Sequence, residues 1–423
     1  MSGRIEVFYK DRRVGELTGT PTETLFQYDP DFVRSGIELS PLLVKLSREP
    51  VRGNLPALDH LPPLFADSLP DRFGRTIMNQ WFTEKRGLGY RAKPLERLAY
   101  VGETGMGALC YRPSLETFPE EILREFDLRQ QEKLARSSLG KVPAEYIEAA
   151  KNAARTVGGS FPKALAAEDP ATGLFYQDDP RLSAPFKRWI IKFGIPEKDR
   201  DDLLNFPEVE WAYHRMARDA GIQVPVCRLM ASAEASLRHF AIERFDWRRG
   251  QRIHMQTLSA ITGIPATEQT LDYRNLLSTT HELTGDITQV KEAFRRMVFN
   301  VASHNVDDHG KNHSFLYDAG MWQLSPAYDL TFADAPNPDI ATVAARAMPV
   351  GGKIIDITGR DLLRLGTRAG LSKPVCREIC TQVVEVVSRA SVYLREAHLP
   401  EHHVREISNK IDLALNESRR HLE

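Results

Sequence analysis

The sequence predicts an α+β protein in which a small α+β domain precedes a larger unit with one mixed lobe and one mainly helical lobe. Three observations predict it. The first 112 residues mix short strand patterns with proline-punctuated helices. From Gly158 to Asp246 a glycine turn, a strand, a helix and two more strands follow one another. Beyond residue 250 apolar residues recur at helical spacing, interrupted by the polar stretch NVASHNVDDHGKNHSFLYDAGMWQLSPAYD, residues 300–329.

Composition narrows the field. A chain of 423 residues is too long for one core and calls for two or three domains. Hydrophobic residues at 42% and charged residues at 27% are ordinary for a globular protein. The net charge of −1 points to no nucleic-acid or membrane partner, although a local basic face remains compatible with it. Cys110, Cys227, Cys376 and Cys380 form no disulfide framework and lack zinc or redox spacing, so they read as reduced structural thiols. With no apolar leader and no run approaching about 18 apolar residues, a cytoplasmic location is expected.

The elements follow in order. Ile5, Val7 and Tyr9 alternate with Arg4, Glu6 and Phe8, and Val14 to Leu17 resumes the pattern after a turn. Leu25–Tyr28 and Gly36–Leu39 read as further strands, and Leu55–Phe82 as short helices set off by Pro56, Pro62, Pro63 and Pro70. The loop Gly102, Gly105, Gly107 lacks the helix that a phosphate loop needs behind it and reads as structural. Residues 1–112 therefore form a small α+β domain without evident chemistry. Residues 116–136 read as a charged surface helix or connector within a segment spanning 113–145.

Residues 146–250 read as the mixed lobe. Thr156-Val157-Gly158-Gly159-Ser160 could lay backbone N–H groups against phosphate oxygens. About thirty residues on, Trp189–Phe193 is an apolar strand with Lys192 embedded, a placement that is costly unless the lysine is paired. The helix Pro207–Ala220 offers Glu208 and Glu210 as partners, with Val209, Tyr213 and Met216 on one face. Strands at Cys227–Met230 and Arg238–Asp246 follow, the second leading into a hinge.

Residues 251–423 read as the helical lobe. Ile287–Ala302 is a core helix that delivers Asp307; stripes at Val375–Val386 and Val404–Leu415 are scaffold. Asp307 and Asn312 stand in D-x-x-x-x-N spacing, Ser314–Tyr317 and Met321–Leu324 form a hairpin, and Asp329 lies 17 residues after Asn312. A carboxylate–amide loop, a hairpin and a second carboxylate are how protein-kinase-like enzymes assemble a catalytic loop and metal ligands. In that reading Asp307 accepts the proton of an attacking hydroxyl, Lys311 neutralises the transferring phosphoryl group, and Asn312 and Asp329 supply hard oxygen ligands for Mg²⁺. His304, His309 and His313 fit zinc poorly, because Gly310 and its polar surroundings make a loop where a helix would be needed.

The segments VDDHGKNHSF, LSPAYDL, WIIKF, AIERFD, TVGGSFPKAL and VGETGMGAL, in combination, resemble the HipA family of bacterial toxin kinases across nearly the whole chain. The resemblance implies a protein-kinase-like (PI3/4-kinase-like) bilobal fold and an ATP- and Mg²⁺-dependent serine/threonine kinase. It implies the toxin of a type II toxin–antitoxin pair with a helix-turn-helix HipB-like antitoxin, which would be the route to DNA. Its protein substrate would be an aminoacyl-tRNA synthetase, glutamyl-tRNA synthetase first. By motif, Asp307 is the base, Asn312 and Asp329 hold the metal, and Lys192 meets the phosphates with Glu210 as its helix partner. Val157, Gly158 and Gly159 cradle phosphate, Glu243 and Phe245 form the adenine hinge, and Gln256, His309 and Tyr328 line the ATP pocket. The family's autophosphorylated loop serine matches Thr156, with Ser160 nearby. Two other classes stay open: a small-molecule phosphotransferase of the same architecture, and a non-catalytic corepressor that docks an antitoxin.

Overall fold

A computed structural model describes the chain apart from residues 1–2, 116–119, 138–141, 143–146, 148–150, 152–161, 184, 196–206, 233–236, 267–269, 334–344 and 423. Alternation builds its first sheet: Ile5, Val7 and Tyr9 of the strand Arg4–Tyr9 are buried and the residues between them are not. Five antiparallel strands run in the spatial order Val51–Gly53, Thr24–Tyr28, Arg12–Gly19, Arg4–Tyr9, Leu109–Arg112. Val7, Leu17, Phe26 and Tyr111 share one core with Phe65 and Leu98 from the helices.

The strand expected at Gly36–Leu39 does not form. Asp29 caps a helix over Pro30–Ser35 by accepting the Asp31 N–H, Pro30 opens it, and Gly36 ends it at φ 69°. Leu39 still enters the core, so the apolar pattern was read correctly as buried and wrongly as extended. Helices at Pro56–Leu58, Pro63–Ala66 and Arg72–Arg86 follow the prolines as expected. Among its described residues, the charged stretch 116–136 is helical only toward its end, over Leu128–Ser137. Before it, the Phe126 N–H donates to the Phe175 carbonyl and the Gln177 N–H to the Arg124 carbonyl, extending the edge of the second sheet. Phe126 and Ala135 pack with Trp189 and Ile191, so this connector covers a sheet face.

That second sheet is antiparallel, in the order Phe175–Gln177, Lys163–Glu168, Lys187–Lys192, Arg238–Glu243, Cys227–Ala231. The helix Pro207–Asp219 buries Val209, Tyr213 and Met216 and packs beside the strand Arg238–Glu243. Beyond it lies the helical lobe. Asp286 caps the helix Ile287–Ala302 through the Thr288 N–H, and Val290, Phe294, Met297 and Val298 anchor its main core. The hairpin Ser314–Asp318 and Met321–Leu324 joins His254–Thr257 in a three-stranded sheet. The tail helices Lys373–Val387 and Glu401–Arg419 bury the expected stripes.

Arg252 fastens the N-terminal domain to this body. Its guanidinium donates to the carbonyls of Gly107 (2.6 Å), Glu103 (2.7 Å) and Gly105 (2.6 Å). The Gly107 N–H in turn donates to Asp246, whose carboxylate is fully buried and paired with Arg244. The glycine-dense loop is therefore a docking loop, held by charge-assisted bonds to its backbone. Arg252→Ala should lower the unfolding free energy by about 2–4 kcal/mol. Urea denaturation measures this, with faster amide exchange expected over residues 102–110. A loss below about 0.5 kcal/mol, the range of ordinary surface changes, would contradict the docking role.

Candidate active site

Strand parity aims the lysine. In Lys187–Lys192, Trp189 and Ile191 sit in the buried core on one face, so Ile190 and Lys192 face the interlobe cleft that they line. The Lys192 ammonium meets Glu210 Oε1 at 2.7 Å and also pairs with Asp329. One ammonium is shared between two carboxylates, with Lys163 as a second cation acting on both. Burial opposes ionisation of Asp329, but Lys192 and Lys163 outweigh it and hold its carboxyl well below the usual range. Glu210 bears the penalty: burial raises its carboxyl to about 7, Lys192 offsets part of that, and Asp329 adds to it. Lys163 lies opposite Lys192 in the neighbouring strand, and burial followed by the Lys192 charge lowers it to about 8.

The loop after Ile287–Ala302 is held by Asp308 and leaves Asp307 open. Buried Asp308 accepts from the Tyr273 hydroxyl (2.6 Å), Arg346 Nη2 (3.0 Å) and Nε (3.2 Å), and the Met348 N–H (3.1 Å). With that carboxylate facing inward, the Asp307 side chain is 64% accessible and lies 4.0 Å from His309 Nε2. Surrounding protein mass raises the Asp307 carboxyl, as do Asp329 and Asp308, while His309 opposes them. Asn312 Nδ2 donates to the Asp307 carbonyl at 2.8 Å, which turns the amide oxygen loose for other contacts. Gly310 is tightly packed: a Cβ there would stand 2.1 Å from Leu271 Cδ2 and 2.6 Å from Ser259 Oγ, so those side chains would have to move. Asp329 takes a left-handed φ of 54°, a conformation that aspartate tolerates better than most residues.

Of these groups, Lys192, its two carboxylate partners and Asn312 converge on one cleft, whose lining does not include Asp307. Its walls include Lys192, Glu210, Lys311, Asn312, Tyr328 and Asp329, with Glu243 and Phe245 at the hinge end. Tyr328 donates to the Lys311 carbonyl at 2.6 Å and packs its ring 5.4 Å from that of Phe245. The cleft encloses about 110 Å³, below the several hundred Å³ of most small-molecule sites. Two ion-paired lysines cross it: Lys192, and Lys311 with Asp71 of the N-terminal domain.

Two expected pocket residues lie elsewhere. Gln256 is buried with its amide donating to Ser40 Oγ at 3.2 Å, while its neighbours Met255 and Thr257 face the cleft. Parity decides it, because alternate residues of the strand His254–Thr257 face opposite sides. His309 lines an adjoining cavity instead. Thr156, Val157, Gly158, Gly159 and Ser160 lie outside the described residues. His304 and His313 are buried against Phe332 and Tyr273, and among the described residues no cluster of three or more His, Cys, Asp or Glu could hold a metal. Sequence reasoning missed Asp67, Leu69, Asp71 and Met106, which bring the N-terminal domain into the cleft. No local signal marks them; Asp71 looks like any aspartate before a helix.

Two lobes hinged at Glu243–Phe245, with a strand lysine, a helix glutamate, the loop amide Asn312 and the carboxylate Asp329 lining one cleft, define a bilobal kinase-like α+β protein. Family comparison refines this. Residues 5–112 match the HipA N-terminal domain and residues 155–391 the HipA-like C-terminal domain, so the chain belongs to the HipA family. The solved HipA of Shewanella oneidensis MR-1, from a complex with HipB and operator DNA, superposes with a TM-score of 0.71 at 17% identity. That match covers 98% of this chain and 97% of the other, and shows the shared fold. An inferred kinase of Haemophilus influenzae is 24% identical over 226 residues, 47% of this chain and 66% of that protein. The inferred kinase Y4mE of Sinorhizobium fredii is 25% identical over 188 residues, 42% and 44% respectively. The aligned part thus spans less than two thirds of either relative.

Asp308→Ala should destabilise the protein by about 3–5 kcal/mol, because it strands the buried Arg346 guanidinium. Chemical denaturation checks this. Asp307→Ala, at an exposed carboxylate, should stay within about 0.5 kcal/mol of wild type. Equal losses in the two variants would contradict the division of labour between the adjacent aspartates.

Proposed function

We propose that this chain is an ATP- and Mg²⁺-dependent serine/threonine protein kinase that serves as the toxin of a type II toxin–antitoxin pair. The observation that carries the reading is Lys192, paired with both Glu210 and Asp329 in a cleft that Asn312 also lines. A phosphate chain entering there takes over the role of the carboxylates toward Lys192 and of Asp71 toward Lys311. Ile190, Ile242 and Met255 offer apolar surface to a purine. The N–H groups of Glu243 and Arg244 already donate to Val226 and Arg188, so Phe245 is left to offer the hinge donor.

The donor set suits magnesium: an ionised carboxylate, Asp329, and an amide, Asn312, both hard oxygen ligands on one cleft wall. When bound, the ion neutralises the phosphates that Asn312 and Asp329 face. Asp307 takes the proton of the acceptor hydroxyl, its raised carboxyl moving toward the range useful to a general base. Lys311 stabilises charge on the group in transit. Thr156, or Ser160, is the autophosphorylated off-switch. A HipB-like helix-turn-helix antitoxin is the partner, by likeness to the Shewanella complex, and DNA is reached through it. The substrate is an aminoacyl-tRNA synthetase, glutamyl-tRNA synthetase first.

Intact mass after incubation with Mg-ATP tests the reading. Wild type should gain one phosphate, mapping to Thr156 or Ser160, and should transfer phosphate to purified glutamyl-tRNA synthetase. Asp307→Asn should bind ATP and do neither. A wild type that binds no ATP would overturn the proposal.

A further inference from the structure

A second cavity of about 330 Å³ adjoins the nucleotide cleft and shares Asp67, Asp71 and Lys311 with it. One wall comes from the N-terminal domain, through the segments Pro56–Leu58 and Pro63–Ala66 and the start of Arg72–Arg86. The other comes from the helix Leu258–Thr262 and from His309 and Lys311 of the catalytic loop. The nucleotide cleft and this cavity therefore lie on two sides of the Lys311–Asp71 ion pair, and His309, two residues from Asp307, faces only the second.

Resting on the kinase reading, we propose that this second cavity is the phosphoacceptor site. It takes a serine or threonine flanked by small or aliphatic residues on a protein segment, with the N-terminal domain as half of the recognition surface. Two observations point to a ligand. Ser259 lines the cavity, is 4% exposed, and its hydroxyl has no hydrogen-bond partner among the described residues. His309 Nδ1 is likewise buried and unpartnered. Both atoms sit sealed within the wall, Ser259 Oγ beside Gly310, and a small shift of the wall toward an incoming hydroxyl would relieve their missing hydrogen bonds.

The remaining chemistry selects the class of acceptor. Asp59 is paired with Arg75 and Arg97, Asp67 accepts from the Thr257 N–H and hydroxyl, and Asp71 holds Lys311. Before nucleotide enters, each charge on the walls thus has an opposite charge or a donor, and the wall charge that nucleotide would release is the carboxylate Asp71, which disfavours an anionic acceptor. Between them lie Ala57, Pro63, Ala66, Ala260 and Pro265, a surface for small apolar side chains. In the transfer, the acceptor oxygen forms its bond to the γ-phosphorus as the bond to the β–γ bridging oxygen breaks. The hydroxyl proton passes to Asp307 and the electron pair leaves with ADP.

Bulk placed on either wall tests this. Full-length wild type, Ala66→Trp and Ala266→Trp are compared with labelled Mg-ATP and a degenerate library of peptides centred on serine or threonine. Both variants should keep ATP affinity within about twofold while transfer to the library falls about a hundredfold, the cost of a displaced acceptor. Wild-type transfer rates in both variants would remove the acceptor assignment and leave the kinase reading standing. Label appearing only on small alcohols would overturn the choice of a protein segment. Loss of ATP binding in both filled variants would show one site where two are claimed. Absence of ATP binding in wild type would remove the kinase reading and this proposal together.

Discussion

The Lys192 ammonium is the constraint on which the rest of the structure depends. It draws together a strand of the mixed lobe, the helix Pro207–Asp219 and the segment after the catalytic hairpin, joining residues 137 positions apart. A lysine in an apolar strand cannot stay charged there without partners. Removing either partner of such a pair costs about 3–5 kcal/mol in buried settings, so the relative placement of the lobes is tied to this contact. Lys163 adds a second cation to the two carboxylates, and burial, offset in part by Lys192, still raises the Glu210 carboxyl to about 7.

The N-terminal domain takes part in the site. Arg252 and Asp246 hold its glycine-dense loop against the body, and the same docking brings Met106, Asp67 and Asp71 to the cleft. Lys311 consequently pairs with a carboxylate of the N-terminal domain while lining the cleft of the other. The adjacent aspartates of the catalytic loop divide two tasks in a similar way. Asp308 is buried among four donors and fixes the backbone, which leaves Asp307 exposed.

Much of this was legible in the sequence where the signal is local. The core helix Ile287–Ala302, the hairpin after the catalytic loop and the lysine strand all follow from periodicity and caps within a dozen residues. The order of elements and the need of a buried lysine for a carboxylate left Glu208 and Glu210 both as partners; the family resemblance selected Glu210, which the structure pairs with Lys192. What was not legible depends on parity or on distance. Gln256 and its neighbours could not be assigned to faces, because both faces of their short strand are covered. Ile37 and Leu39 alternate as a strand would, yet they follow a helix that Asp29 and Gly36 delimit. Asp71 meets Lys311 across 240 residues, and nothing near it in the chain announces that contact.

Calorimetric titration of ATP, with and without Mg²⁺, into wild type and Asp329→Asn tests the central claim most directly. If Lys192 and Asp329 reserve a phosphate–magnesium site, magnesium should strengthen binding to wild type by about tenfold or more, and Asp329→Asn should bind ATP with no such gain. Affinity indifferent to magnesium in wild type, or a magnesium effect undiminished in Asp329→Asn, would contradict the account.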